Sequence, residues 1–389
     1  MTIRLAARTR CLHASETLDV IEKVNALKRR GVKITAFSNR PPTPPEVIEA
    51  AQAALAEGWS AAYTDTRGIP GLRRVIAEKS VRMNDIPADP ETEVIVTIGA
   101  KGAIYLAMMA LVDPGDEVLL PDPEWVSYEP CVTLAGGRVV RFPLREENGF
   151  QPDVDDIARR ITARSRLIVL NTPHNPTGAV FSAATLRGVA ELAHKHNLMV
   201  LSDEVYEHYV YDGHRHLSIG ALPGMKERTI TISGTSKILN MFGWRIGWAI
   251  ADSKLIDCMA NIHQQTSACA TSFAQAGTIA ALKLGDEVIA KRVRQYGEAR
   301  DALVTGLNSL PGLSCHTPAG AYFAFPNISK LGKPSAEVAR LLLEQDGIQS
   351  VAGSAFGPHG EGHIRLTFAC TRADAVEGIE RLRTALTRI

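Results

Sequence analysis

The chain has 389 residues, of which 45% are hydrophobic and 22% charged, the composition of an ordinary globular protein with room for about two or three compact units. Its 43 basic and 42 acidic residues give a net charge of +1, which leaves no electrostatic footprint for nucleic acid or an anionic membrane. The six cysteines are scattered without a CxxC pair, so the sequence predicts buried thiols in a reducing compartment and no metal site.

The first twenty residues contain arginines but lack the apolar core and the small-residue cleavage site of a signal peptide. No run of 18 apolar residues occurs anywhere in the chain, so no membrane span is expected. These features favour a cytoplasmic location.

The N-terminal part is predicted to hold two helices separated by a strand and a proline-rich turn. Apolar side chains recur at helical spacing over residues 16–30, and Gly31 follows where a helix commonly ends. A strand is expected over 32–37. Residues 39–45 are too rich in proline for regular structure, and they lead into an alanine-rich helix over 46–57.

The middle of the chain alternates short apolar strands with helices. Strands are expected over 94–98, 117–120, 166–171, 198–202, 228–233 and 244–250, and another is expected within 134–143. Several are continuous apolar runs, which is typical of a parallel sheet buried on both faces. Ligands of such sheets bind outside the carboxyl ends of the strands.

The pattern changes near residue 290. A long helix over 291–310 precedes short strands over 322–326 and 362–368, which predicts a smaller α+β domain. We therefore expect an N-terminal segment packed with the small domain, a large domain and a small C-terminal domain, over residues 1–45, 46–290 and 291–389.

Five polar or aromatic segments directly follow predicted strands, and their positions at one edge of the sheet imply that they converge on one crevice. They are Gly99–Lys101, Trp125, Asn175, Asp203–Tyr206 and Ser233–Lys237. The first of them joins a strand to a helix through small residues, an arrangement that binds one phosphate group through free backbone N–H groups.

Lys237 lies between small polar residues and the apolar run that starts at Ile238. A partly buried lysine amine is a nucleophile suited to forming a Schiff base with a carbonyl cofactor. On local sequence alone, a solvated lysine beside a core strand fits equally well. The other strand-end segments favour the nucleophile, because together they supply what pyridoxal phosphate requires: a phosphate cradle, a carboxylate for the ring nitrogen, an aromatic platform and an amine.

Three motifs carry a family resemblance: Asn-Thr-Pro-His-Asn-Pro-Thr-Gly, Ser-Asp-Glu-Val-Tyr, and Ser-Lys followed after seven residues by Arg-Ile-Gly-Trp. In these motifs the chain resembles the fold-type I, class I pyridoxal-phosphate aminotransferases, in particular the bacterial aspartate aminotransferase subgroup, from about residue 16 to its C-terminus. The resemblance implies an α/β fold with a mainly parallel seven-stranded sheet in the large domain, pyridoxal 5′-phosphate as cofactor, and a homodimer with shared active sites.

The resemblance also implies roles for individual residues. Lys237 forms the Schiff base and later moves the Cα proton, while Asp203 pairs with the pyridine nitrogen. Tyr206 and Asn175 contact the phenolate oxygen of the cofactor, and Trp125 stacks on its ring. The phosphate is bound by Gly99, Ala100, Lys101, Ser236 and Arg245, and Tyr63 reaches it from the neighbouring subunit. Arg365 grips the α-carboxylate of the substrate, and Asn175, Trp125, Phe37 and Lys101 complete the expected substrate contacts.

The chain departs from the family pattern at four positions, one of which is Arg67 in the loop after Tyr63, where relatives often carry small residues. Gly234 stands where many relatives carry a serine that bonds the phosphate, a role that Thr235, Ser236 or Ser233 can take. Phe37 replaces a glycine that lies against the substrate, so its ring is expected to narrow or redirect the pocket. Arg40 is unusual in this segment and either faces solvent or meets an acid group of the substrate.

Lys101 matches a lysine that reads the distal carboxylate in the aspartate-using subgroup, and Ser15 and Thr17 match a polar pair of those enzymes. These matches favour an acidic amino acid, aspartate above all, with 2-oxoglutarate as acceptor; aromatic amino acids are the next choice. A lyase, decarboxylase or cyclase on the same scaffold stays open as an alternative. A non-enzymatic regulator is disfavoured, because the chain has no basic patch and keeps every reactive residue.

Overall fold

The structure is a computed structural model that describes residues 3–10, 12 and 14–389. Cys11, one of the six cysteines, lies outside the described residues. Seven strands form the central sheet: β1 (Val94–Ile98), β2 (Glu117–Asp122), β3 (Arg138–Pro143), β4 (Ser165–Asn171), β5 (Met199–Asp203), β6 (Thr229–Gly234) and β7 (Ile246–Ile250).

The strand order is β1-β7-β6-β5-β4-β2-β3. β7 runs antiparallel to both of its neighbours, and every other pair in the sheet is parallel. All strands except β7 therefore point the same way, so their carboxyl ends share one edge. The mainly parallel sheet that the sequence predicts is confirmed.

Helices cover both faces of this sheet. α1 (Glu16–Arg29) lies in the N-terminal segment and contacts the C-terminal part of the chain. The helices of the large domain are α2 (Pro45–Ala56), α3 (Pro70–Asn84), α4 (Gly99–Leu111), α5 (Tyr128–Ala135), α6 (Val154–Arg160), α7 (Ala183–His196), α8 (Ser253–Thr266) and α9 (Ser272–Leu282). Alternate residues of one strand serve opposite faces: Leu167 and Val169 of β4 pack in the cluster that includes α4 and α8, whereas Ile168 and Leu170 pack in the cluster that includes α7. This two-sided burial explains why the strands read as continuous apolar runs.

The C-terminal part contains α10 (Asp286–Asn308), β8 (Phe323–Ala324), α11 (Ser335–Asp346), β9 (Val351–Ala352), β10 (Ile364–Thr367) and α12 (Arg372–Leu386). Its three strands form a separate antiparallel sheet in the order β8-β10-β9. α12 begins with a capping box in which Thr371 and Asp374 satisfy each other's backbone N–H groups. Among the described residues, every helix is too short or too polar to span a membrane.

The strand predicted over 32–37 does not form; the backbone there makes only single bridges. Thr35 pairs with Ile348, and Ser38 pairs with Ala369, both in the C-terminal part of the chain. We propose the domain division 1–45, 46–290 and 291–389. These bridges support it because they tie the N-terminal segment to the small domain.

Candidate active site

A cavity of about 800 Å³ lies at the carboxyl edge of the large sheet, where the small domain faces it. Of the residues that the sequence places in a site, ten line this cavity: Ala100, Lys101, Trp125, Asn175, Asp203, Tyr206, Ser236, Lys237, Arg245 and Arg365. Gly99, Phe37 and Tyr63 do not. The cavity therefore receives side chains from the ends of several strands together with an arginine from the small sheet.

Lys237 lies three residues beyond the end of β6 and is half-buried. Its Nζ is 4.9 Å from the ring centroid of Phe242 and 5.7 Å from that of Tyr206. No carboxylate of the described residues lies within ion-pair distance of this amine. The amine thus faces the cavity with aromatic neighbours and no anionic partner, which leaves it available to a carbonyl carbon.

Asp203 is the last residue of β5 and is buried. Its Oδ2 accepts a hydrogen bond of 2.6 Å from the hydroxyl of Tyr128, and its Oδ1 accepts a longer one of 3.3 Å from the N–H of Val205. Burial raises the pKa of Asp203 to about 6, although the Tyr128 hydrogen bond acts in the opposite direction. A ligand that brings a cationic N–H to this carboxylate would stabilise its charged form.

Asn175 and Arg365 meet across the cavity from different domains. Oδ1 of Asn175 accepts a hydrogen bond of 2.8 Å from Nη1 of Arg365, and the N–H of Asn175 donates to Oδ1 of Asn171. The Arg365 guanidinium lies 4.4 Å from the ring centroid of Phe323. Burial lowers the pKa of Arg365 to about 10, because the charged form loses hydration there. The arginine is therefore oriented, and one of its Nη groups is committed to the amide.

Arg245 approaches the start of α4 from the segment that precedes β7. Its backbone has a positive φ of 55°, and its Nη1 donates to the carbonyl of Phe242 at 3.1 Å. The N–H of Gly99 donates to the carbonyl of Arg245 at 2.9 Å. The expectation that Gly99 offers its N–H to a phosphate is therefore wrong, since that group is already bonded. Ala100 and Lys101, next in the first helical turn, keep N–H groups that have no intrahelical partner.

Gly99 serves instead as the point of close approach. The positive φ of 68° at Gly99 disfavours any other residue, and a Cβ at this position would force the guanidinium of Arg245 to move away from the end of α4. Gly234 is constrained in a similar way, because a Cβ there would lie 3.1 Å from the carbonyl oxygen of Ile246 and 3.2 Å from Cα of Gly247. The pairing of β6 with β7 thus disfavours a serine at 234, while Ser236 lines the cavity.

Lys101 and Trp125 occupy the wall formed by the large domain. The Nζ of Lys101 lies 5.1 Å from the ring centroid of Trp125, and Trp125 packs edge-on against Tyr128. The pKa of Lys101 is lowered, mainly by burial and further by the positive charges of Arg245 and Lys237. This concentration of cations indicates a cavity built for anionic ligands.

The expectation that Phe37 narrows the pocket is wrong. Its ring is buried in the core of the small domain, where a Cβ on Gly378 of α12 would clash with it. The backbone of Phe37 has a positive φ of 49°, which turns the side chain away from the cavity that Ala36 and Ser38 line. The chain therefore replaces a small residue of the family pattern without filling the site.

Tyr63 lies outside the cavity of its own chain. It is 87% exposed, in the irregular segment between α2 and α3. Nothing in its own chain covers its ring, so within a single chain it makes no contribution to the site.

Several cavity residues were not singled out as site residues in the sequence. Tyr128 could have been recognised from the sequence as a neighbour of the site, since it follows Trp125 by three residues at the start of a helix. Phe242 lies in the run between Lys237 and Arg245. Tyr322 carried no signal, because it enters from the small domain and reaches the cavity only through the tertiary fold. The start of α1 also lines the cavity, where Ser15 and Thr17 share a hydrogen bond of 2.9 Å.

The residues present fit pyridoxal phosphate. Within the described part of the chain, the cavity offers an amine without an ion-pair partner at Lys237, a buried carboxylate without one at Asp203, and an arginine beside the open first turn of α4. These are the groups that the aldehyde, the ring nitrogen and the phosphate of that cofactor require.

Comparison with known proteins gives concordant matches. Residues 33–382 match the family model of aminotransferase class I and II. An aspartate aminotransferase of Pyrococcus abyssi is 39% identical over 348 residues, which cover 88% of each chain, and an aromatic-amino-acid aminotransferase of Thermococcus litoralis is 38% identical with the same coverage. The solved structure of aspartate aminotransferase from Thermus thermophilus with maleate has a TM-score of 0.92 at 36% identity and covers 99% of this chain and 100% of that one.

Proposed function

Since the chain belongs to the class I and II aminotransferases, whose members use pyridoxal phosphate, we propose that it transfers the amino group of an acidic L-amino acid, aspartate above all, to a 2-oxo acid such as 2-oxoglutarate. The observation that carries this proposal is the amine of Lys237, which faces the same cavity as Asp203 and Arg365 and has no anionic partner among the residues that the structure describes. Both half-reactions use one site, so the kinetics are ping-pong.

Bound in this cavity, the cofactor supplies an aldehyde for the incoming amino group and a ring that takes up the electron pair released at Cα. Lys237 would anchor the cofactor covalently, and its amine, once released, would take the proton from Cα of the substrate. Asp203 would keep the ring nitrogen of the cofactor protonated. Its buried position supports this role, because a carboxylate in such a site favours a cationic partner.

The other residues orient the reactants. Tyr206 and Asn175 would hold the phenolate oxygen of the cofactor, and Trp125 would hold its ring. Ala100, Lys101, Ser236 and Arg245 would bind its phosphate, while Arg365 would bind the α-carboxylate of the substrate. The hydrogen bond from Arg365 to Asn175 supports this arrangement, since it ties the carboxylate-binding group to a cofactor-binding group.

The preference for an acidic substrate rests on Lys101, Ser15 and Thr17. All three line the cavity, and the amine of Lys101 has no carboxylate partner among the described residues. The names of the relatives support aspartate as donor, and the aromatic-amino-acid aminotransferase among them keeps aromatic donors as the second choice.

We also propose a homodimer in which Tyr63 serves the site of the neighbouring subunit. The exposure of its ring supports this, as do the exposed apolar side chains of Ile48, Leu55 and Ile98, which belong to α2 and to the strand that precedes α4. The cytoplasmic location that the sequence favours stays a prediction.

The test is a single-turnover experiment on the purified holoenzyme. Absorbance of the bound cofactor is followed as aspartate, glutamate, phenylalanine and alanine are added separately without any oxo acid. A transaminase converts one equivalent of donor per site and then stops until a 2-oxo acid is supplied; a lyase or decarboxylase turns over continuously without an acceptor. Lys237→Ala must lack the reaction, and continuous turnover by the wild type would overturn the proposal.

A further inference from the structure

Arg40 is a positively charged residue of the cavity, and none of the cofactor and substrate contacts proposed so far involves it. It lines the cavity, with its guanidinium carbon 5.0 Å from the ring centroid of Phe242 and 5.4 Å from that of Tyr322. Its Nε is buried and has no hydrogen-bond partner, and no carboxylate among the described residues lies within ion-pair distance. A buried donor without a partner costs free energy, which a bound anion would recover.

The loop that carries Arg40 is fastened on both sides. The N–H of Asn39 donates to the carbonyl of Ala369 at 2.9 Å. On the other side, the carbonyl of Pro42 accepts a hydrogen bond of 2.6 Å from Nη2 of Arg292. Two consecutive prolines after Arg40 fix the backbone further. The guanidinium is thus presented from a rigid support, so little conformational entropy is lost when it binds a ligand.

Arg40 lies on the same side of the cavity as Arg365. Arg40 stands over the ring of Tyr322, and Arg365 stands over the ring of the next residue, Phe323. Burial is the main cause of the lowered pKa of Arg365, and the positive charge of Arg40 acts in the same direction. Two neighbouring guanidinium groups without an anion between them repel each other, so a carboxylate placed there would be stabilised by both.

Lys101 belongs to a different part of the cavity. It projects from α4 over the ring of Trp125, in the large domain, whereas Arg40 and Arg365 belong to the N-terminal segment and the small sheet. An amino acid with two carboxylates can therefore place one near each group of cations. The one near Arg365 is the α-carboxylate, given the function proposed above.

We propose that Arg40 is a second ligand of the substrate α-carboxylate, which it binds together with Arg365. This inference rests on the proposed aminotransferase function and adds to it a specificity-determining residue that selects substrates carrying an α-carboxylate. Arg40 then acts on every 2-amino acid and 2-oxo acid that enters the cavity, whatever the side chain.

The test compares three donors with the holoenzymes of wild type and Arg40→Met. Aspartate has both carboxylates, alanine lacks the distal one, and β-alanine lacks the α-carboxylate. Single-turnover rate constants per donor concentration are measured from cofactor absorbance. Arg40→Met should lower the values for aspartate and alanine by similar factors of about 10–100, because a charge-assisted hydrogen bond is lost, and should leave β-alanine within about twofold. Arg29→Met, which removes an exposed arginine of α1, is the matched control.

Each other outcome overturns the inference. Loss with aspartate and β-alanine but not with alanine would assign Arg40 to the distal carboxylate, and equal loss with all three donors would assign it a structural role. Values equal to wild type for all donors would leave Arg40 without a part in binding. A wild type that reacts with no donor would refute the proposed function instead. If Arg40→Met does not fold, Arg40→Lys tests the same pattern with the charge retained and the planar fork lost.

A double-variant cycle gives a second readout. If Arg40 and Arg365 bind one carboxylate, Arg40→Met combined with Arg365→Met should cost less than the product of the two single losses. Strictly multiplicative losses would show that the two arginines bind separate groups.

Discussion

The hydroxyl of Tyr128 donates a hydrogen bond of 2.6 Å to Oδ2 of Asp203 and thereby lowers a pKa that burial raises to about 6. Tyr128→Phe removes this bond, so the pKa of Asp203 should rise by about one to two units, since a hydrogen bond to a charged group contributes about 1.5–3 kcal/mol. The acidic limb of the kcat/KM profile should therefore move to higher pH. Rates measured between about pH 5.5 and 9 check this, and a loss independent of pH would contradict it.

Lys101 gives a second prediction for a single residue. Lys101→Ala should weaken dicarboxylic donors by about tenfold or more relative to aromatic ones, because only the former present a distal carboxylate to its amine. Comparison of kcat/KM for aspartate and phenylalanine measures the effect. An equal loss on both donors would exclude the distal-carboxylate role of Lys101.

How far individual residues could be predicted depended on where they lie in the chain. Lys237, Asp203 and Asn175 follow strands directly, and the common edge of a parallel sheet brings such residues together in any fold of this kind. Arg40 and Tyr322 reach the same cavity from segments distant in sequence, so no local pattern indicates their proximity. Phe37 is close in sequence to cavity residues, yet its side chain points away from the cavity. Its positive φ and its packing against Gly378 decide this orientation, and neither is visible in the sequence.

Three elements are joined behind the cavity by a buried network that includes an ion pair. The Nζ of Lys79 in α3 lies 2.5 Å from Oε2 of Glu207, which follows β5, and Oε1 of Glu207 accepts a hydrogen bond from Ser233 in β6. Lys79→Met should lower the free energy of unfolding by about 3–5 kcal/mol, because it leaves a buried carboxylate without its cation. Equilibrium denaturation of the holoenzyme measures this loss.

Lys33→Met is the matched control, since it breaks an exposed ion pair. The side chains of Lys33 and Glu377 are 76% and 59% exposed, so the loss of this pair should lower the free energy of unfolding by less than about 1 kcal/mol. Similar losses for both variants would contradict the expectation that burial makes the Lys79–Glu207 pair the more important one for stability.

Although burial alone would raise the pKa of Glu207, Lys79 holds it below its usual value. The contribution of the pair is therefore present above about pH 4.5 and is lost as the pH falls further, so the gap between wild type and Lys79→Met should narrow in acid.

At the level of elements, the strands were easier to predict than the helices. Strands of the large sheet are buried on both faces, and their apolar runs mark them directly. The helices α5, α6, α8 and α9 were not delineated in the sequence, because α5 and α6 are short and the other two follow the last strand of the large sheet. The segment over 32–37 has the apolar pattern of a strand, yet its backbone finds only single bridging partners.

For the whole molecule, the cavity combines three separate stretches of one chain: the N-terminal segment, the large domain and the small domain. Tyr63 lies outside it, with its ring 87% exposed. If Tyr63 completes the site of a partner subunit, one active site requires residues of two chains. In an isologous dimer, a side chain that reaches across the interface into the site of its partner does so at both sites.

This arrangement predicts complementation between two impaired variants. Lys237→Ala and Tyr63→Ala subunits, mixed under conditions that exchange subunits, should form hybrids in which one of the two sites keeps both Lys237 and the Tyr63 of its partner. Random reassortment of equal amounts should then restore activity to about a quarter of the wild-type value, because about half of the dimers are hybrids with one intact site each. Activity measured before and after exchange gives the answer. No gain on mixing would place the function of Tyr63 within its own chain and remove the shared site from the proposal.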